Sequence, residues 1–192
     1  MKLTKSTYLV LFILILAAAL YRVWDGRPWG FAPQIAMALF AGSVIKNKKI
    51  AFLFPLLSML ISDALYQLLY LQGLTPIKGF YGGQWQNYLL IGSITFIGFF
   101  IHKSKVLHIL AGSLAGAMFY FIISNFLTWI GGGLDISNQP YPKTMDGLAL
   151  CFAAALPFLK WSLLSTFIFN GIFFGGYYLM EKTILKTEIQ AV

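Results

Sequence analysis

A chain of 192 residues with 59% hydrophobic and only 10% charged side chains cannot cover a water-facing surface, since soluble domains carry about 25% charged residues. Its mean hydropathy of +0.77 and its length describe a single integral membrane domain, 1–192, with room for about six helical spans of ~20 residues each. The net charge of +8, in a chain this apolar, belongs with membrane topology and anionic lipid headgroups rather than with nucleic acid.

The apolar runs predict an all-α polytopic membrane protein with six transmembrane helices, at Thr7–Tyr21, Pro33–Ile45, Ile50–Gln72, Gln84–Ile101, Val106–Ile130 and Phe158–Met180. The first run has basic residues, an apolar stretch and Ala17-Ala18-Ala19, features also found in a signal peptide. The second is short for a span and needs either an extension back through Gly30 or shielding by its neighbours. Between the fifth and sixth lies "YPKTMDGLALCFAAALPF" (Tyr141–Phe158). Its apolar core is too short to span comfortably and Pro157 should break it, so a separate interfacial or re-entrant helix near 144–157 is expected. A seventh span is the competing reading.

The basic residues orient this layout. With the N- and C-termini cytoplasmic, the inner side holds Lys2, Lys5, Lys46, Lys48, Lys49, Lys103, Lys105, Lys182 and Lys186. The outer side holds Arg22, Arg27, Lys78, Lys143 and Lys160. Nine against five follows the positive-inside rule, with "KNKK" (Lys46–Lys49) the strongest single contribution. The outer segments are then Tyr21–Gly30, Gly73–Asn87 and Gly131–Gly147, which mix aromatics, amides, glycines and both charge signs. That mixture suits a small-molecule site, and it also describes an aromatic belt with ordinary turns.

The third run contains an aspartate in "PLLSMLISDALYQ" (Pro55–Gln67). A carboxylate near the centre of a membrane helix costs roughly 2.5–3.5 kcal/mol, so Asp63 needs a reason. It lies ~13 Å below the outer end of its helix at 1.5 Å per residue, one turn from Gln67 and beside Ser62. Ser124 and Asn125 on the fifth run, Gln84, Gln86 and Asn87 on the fourth, and Lys160 and Ser162 on the sixth bring polar groups to the same half. Three roles stay open: contact with a ligand, a structural pair with Arg22, Arg27 or Lys160, or a proton-linked role.

Small residues four apart recur at Ala32/Ala36, Ala111/Ala115, Gly112/Gly116 and Gly171/Gly175, a pattern that lets helices approach closely. Cys151 is the lone cysteine, and neither CxxC, HExxH nor a Walker loop is present. No metal site and no cofactor are therefore expected. With a single acid well inside a span and both histidines, His102 and His108, at the opposite side, the chain is not expected to be an enzyme.

"GFAPQIAMALFAGSVIKNKKIAFLFPLLSMLISDAL" (Gly30–Leu65) resembles the second and third helices of the substrate-binding S components of energy-coupling-factor vitamin transporters. The stretches "APQIAMALFAGS", "FPLLSMLISD", "SNFLTW" and "YPKTMDGLALCFAAALPFLKWSLL" more closely resemble a family of uncharacterised bacterial multi-pass membrane proteins. The S-component resemblance implies a transport protein of the bacterial cytoplasmic (inner) membrane that captures a vitamin-like or precursor molecule from outside. It also implies a transmembrane coupling subunit with ATPases as partner. The ligand would meet Asp63, Gln67, Trp85, Asn87, Asn125 and Lys160, with Arg27 and Trp29 as a lid. One departure stands out: S components dock through alanines four apart in the first helix, and here that helix offers Ala17, Ala18 and Ala19 in a row. A membrane scaffold or accessory subunit without a small-molecule substrate is the alternative.

Overall fold

The computed structural model describes residues 5–190; Lys2 of the basic count lies outside them, and so do the side chains of Lys5 and Lys186. The described residues form six α-helices: α1 Lys5–Val23, α2 Gln34–Val44, α3 Lys48–Leu71, α4 Trp85–Gly98, α5 Val106–Ile130 and α6 Met145–Gln190. Three helices are long and apolar enough to cross a membrane, over Lys48–Leu71, Val106–Ile130 and Met145–Lys182. Successive helices run back and forth, so the loops gather at two ends. The 24–33, 72–84 and 131–144 connections share one end, and the 45–47 and 99–105 connections share the other.

α2 is the hub. Its 11 residues reach only about 16 Å, yet it packs against α3, α4, α5 and α6. Ten of the 11 are buried, all but Ser43. A helix apolar on all sides is stable only when enclosed by other helices, and its small side chains make that enclosure tight. A Cβ on Gly42 would lie 2.2 Å from the Thr95 carbonyl oxygen, and one on Gly98 would lie 2.5 Å from that of Leu39. α2 and α4 therefore meet backbone to backbone. Gly116 seats against the Leu39 side chain and Gly112 against Ile101, so that small-residue pair serves packing within the chain. A Cβ on Gly171 or Gly175 would meet open space.

The loop at residues 45–47 is short because Asn47 caps α3, accepting from the backbone N–H of Lys49 (3.0 Å) and Ile50 (3.3 Å). At this end Lys103 pairs with Glu181 at 2.8 Å, and Lys48 lies over the Phe99 ring.

The expected separate helix near 144–157 is not formed. Met145 to Gln190 is one helix of 46 residues, about 69 Å long, and it runs straight through Pro157. Proline removes one backbone donor. Leaving the helix in apolar surroundings would strand several peptide groups, so continuing through the proline costs less. No glycine or turn-forming cluster in "LCFAAALPFLKWSLL" offers an exit. The first turns of α6 instead lie along the end of α5, where Phe152 meets Phe121 edge-on and the Cys151 thiol donates to the Asn125 carbonyl.

Candidate functional site

The polar side chains at the three-loop end fall into two connected groups. The first surrounds Asp63, which is 2% exposed. One carboxylate oxygen accepts from the Arg22 guanidinium. The other accepts from the Gln84 side-chain amide and, at 2.6 Å, from the Tyr88 hydroxyl. Arg22 also donates to Ser62, which in turn donates to the Met59 carbonyl at 2.8 Å. Above this, Arg27 donates to the Arg22 carbonyl at 2.6 Å and to the Tyr66 hydroxyl at 3.1 Å, and Tyr66 donates to the same Arg22 carbonyl at 2.7 Å. The carboxylate thus has a cationic partner and two neutral donors, which is what a buried charge requires.

Local backbone geometry places these groups. A Cβ on Gly79 would lie 1.9 Å from the Asp63 carbonyl oxygen and 2.4 Å from the Gln67 nitrogen, so only glycine lets the 72–84 loop lie on α3 at this level. That contact brings Gln84 to Asp63, with the Gln84 amide also donating to the Gly79 carbonyl at 2.9 Å. Gln67 accepts from the Phe80 N–H at 3.2 Å and holds the loop from the other side.

The second group lines a cavity of about 310 Å³, near the lower limit of typical small-molecule pockets, roughly 300–1,000 Å³. Its apolar wall includes Met59, Ile91, Phe121, Ala155 and Phe158. Its polar lining includes Arg22, Gln34, Asn87, Tyr120, Asn125 and Ser162. Arg22 belongs to both groups and links the cavity to Asp63. Asn87 is held between two tyrosines, donating to Tyr81 at 2.7 Å and accepting from Tyr120 at 3.1 Å. Asn125 donates to the Phe121 carbonyl one turn back at 2.7 Å. Gly30, with φ of +85°, turns the chain into α2 and closes the cavity against the Phe158 backbone, where a Cβ would come within 2.8 Å.

Gln34 differs from these residues. It is 5% exposed, and neither its amide nitrogen nor its oxygen has a hydrogen-bond partner among the described residues. Such a group forfeits about 1–3 kcal/mol of desolvation free energy, which in a well-packed protein points to a partner supplied from elsewhere.

Of the residues singled out from the sequence, Asn87 and Asn125 line the cavity. Asp63 lies behind Arg22, Arg27 braces Arg22, and Gln67 anchors the 72–84 loop. Trp85 and Trp29 are 62% and 63% exposed and do not line it. Lys160 is exposed, with its ammonium 5.3 Å from the Trp161 ring centre. Gln34 and Tyr120 were missed. Gln34 follows Pro33 at a helix start, a position that reads as ordinary, and only its burial and lack of a partner mark it. Among the described residues no three His, Cys, Asp or Glu side chains gather as metal ligands.

A family model described as a family of unknown function (DUF6580) matches residues 2–188. The chain belongs to that family. No curated protein and no solved structure matches it.

Proposed function

We propose that this protein is a substrate-binding membrane protein that captures a small molecule in the cavity among α2, α4, α5 and α6. The observation that carries this reading is Gln34, a buried amide with no hydrogen-bond partner among the described residues, in the wall of a cavity lined by both polar and apolar side chains. All six helices belong to the bilayer in this reading, α2 enclosed by α3, α4, α5 and α6. The lysine-rich end with Lys46, Lys48, Lys49, Lys103 and Lys105 faces the cytoplasm, so the cavity opens toward the outer leaflet. The class of protein this reading proposes is an S-component-like transport protein, with a coupling subunit and ATPases as the energy source. Thermal unfolding of the purified chain against a panel of vitamins and precursors tests the reading. One compound should stabilise it by mass action, about 2.7 kcal/mol at a hundredfold excess over its dissociation constant. A panel that shifts nothing overturns it.

A scaffold or accessory role has one observation in its favour, the glycine face of α6 at Gly171 and Gly175, where an added Cβ would have none of the described residues within 4 Å. Replacing both with leucine while a stoichiometric partner still co-purifies would remove that support.

A further inference from the structure

The loops at the cavity end carry both charge signs, but the cavity does not. Among the described residues Arg22 is the one Lys, Arg, Asp or Glu in its lining, and no carboxylate lines the cavity. Arg22 spends one terminal nitrogen on Ser62 and Asp63. Its remaining N–H groups make no hydrogen bond among the described residues. Asp63 is saturated by Arg22, Gln84 and Tyr88 and stays behind the wall. With Arg27 bound to the Arg22 carbonyl, the local sum of Arg22, Arg27 and Asp63 is one positive charge.

α2 begins at the same wall, where Ala32, Gln34 and Ile35 all line the cavity. Pro33 at its N-cap offers no side-chain cap, and the first N–H to find an acceptor is that of Met37, bonded to the Pro33 carbonyl at 2.8 Å. Among the described residues the N–H groups of Gln34, Ile35 and Ala36 therefore find no acceptor at the positive end of a buried helix, an arrangement that favours a negative group. The unpartnered Gln34 amide is the second, independent sign, and its broad terminal torsion lets its NH2 turn toward such a group.

We infer that the cavity takes a small organic carboxylate, its anionic group seated between Arg22 and the first turn of α2. Its flat apolar body lies against Met59, Ile91, Phe121 and Phe158. The inference rests on the cavity being a ligand site and adds the charge of the ligand. An uncharged amide would satisfy Gln34 and leave the helix terminus and the spare guanidinium donors without a counter-charge. A cation would meet Arg22 and no acid. Asp63 acts as a competitor for Arg22, setting how much of its charge the ligand feels.

Three isosteric probes separate these cases: benzoate, benzamide and benzamidinium, titrated into the detergent-purified full chain by calorimetry. Benzoate should bind at least about tenfold more tightly than benzamide, with benzamidinium silent. Gln34→Leu should weaken benzoate about tenfold, the loss of one hydrogen bond to a charged group, whereas Asp63→Asn should tighten it. Benzamide or benzamidinium binding as well as benzoate would overturn the inference, as would benzoate affinity untouched by Gln34→Leu. If Asp63→Asn fails to fold, the Gln34→Leu comparison decides alone. Where all three fragments are silent, the charge of the panel compound that stabilises the protein decides. A carboxylate lost in Gln34→Leu supports the inference, and an uncharged or cationic compound overturns it while the cavity reading stands. Silence across both sets overturns both.

Discussion

Asp63 illustrates how a costly residue becomes affordable only in its neighbourhood. The carboxylate is 2% exposed and has three side-chain donors. Arg22→Met alone should destabilise by about 3 kcal/mol, because it leaves the buried charge with neutral donors only; the double change Arg22→Met/Asp63→Leu should recover most of that loss. Thermal unfolding in detergent reads both. Gln34→Leu should run the other way, unchanged or more stable by about 1 kcal/mol, since it removes an unpartnered amide; a clear loss of stability would mean that the amide has a partner in the folded chain. The sequence marked Asp63 as needing a base and offered Arg22, Arg27 and Lys160. It could not choose, because the choice depends on α1 packing beside α3. The structural pair does not take Arg22 away from the cavity, since Arg22 both pairs with Asp63 and lines the cavity wall.

Helix positions were legible because apolar runs bounded by basic or glycine-rich turns leave little freedom. α5 begins and ends where its run does, at Val106 and Ile130, and α3 differs from its run by a residue or two. α6 was the exception. Proline reads as a breaker in water, where stranded peptide groups find other partners, but it is carried through in apolar surroundings. The crossing of α2 and α4 was not legible either, since Gly42 and Gly98 read as routine small residues until their carbonyl contacts are seen. Gly42→Ala should cost about 1–3 kcal/mol or more, because backbone rather than a flexible side chain must give way. The same change at Gly171 should be near neutral, as open space surrounds it. Equal unfolding temperatures for the two variants would contradict the backbone-to-backbone crossing.

The whole bundle has a chemically uniform end and a mixed one. Lys46, Lys103 and Lys105 lie in the 45–47 and 99–105 loops, whereas polar groups of the three longer loops bond within their own loop or to the adjoining helices, as Arg27 does to the Arg22 carbonyl and Gln84 to Asp63. Asp135, for example, accepts from the backbone of Ser137 and Gln139 at 2.8 and 3.0 Å. The mixture of residue types that suggested a binding surface across all three loops therefore narrows to one cavity beneath them. In a Cys151→Ala background, a cysteine at Ser137 should react with an impermeant maleimide in intact cells, and one at Lys46 only after permeabilisation; the reverse pattern would invert the proposed orientation.

Native mass spectrometry of the gently purified chain beside an Ala155→Phe variant, whose added ring fills the cavity wall, tests whether that cavity is a ligand site. The wild-type protein should carry a small-molecule mass that the variant lacks. An adduct retained in the folded variant would contradict the assignment of the site to this cavity, and a wild-type protein bare from every membrane source would contradict the binding role itself.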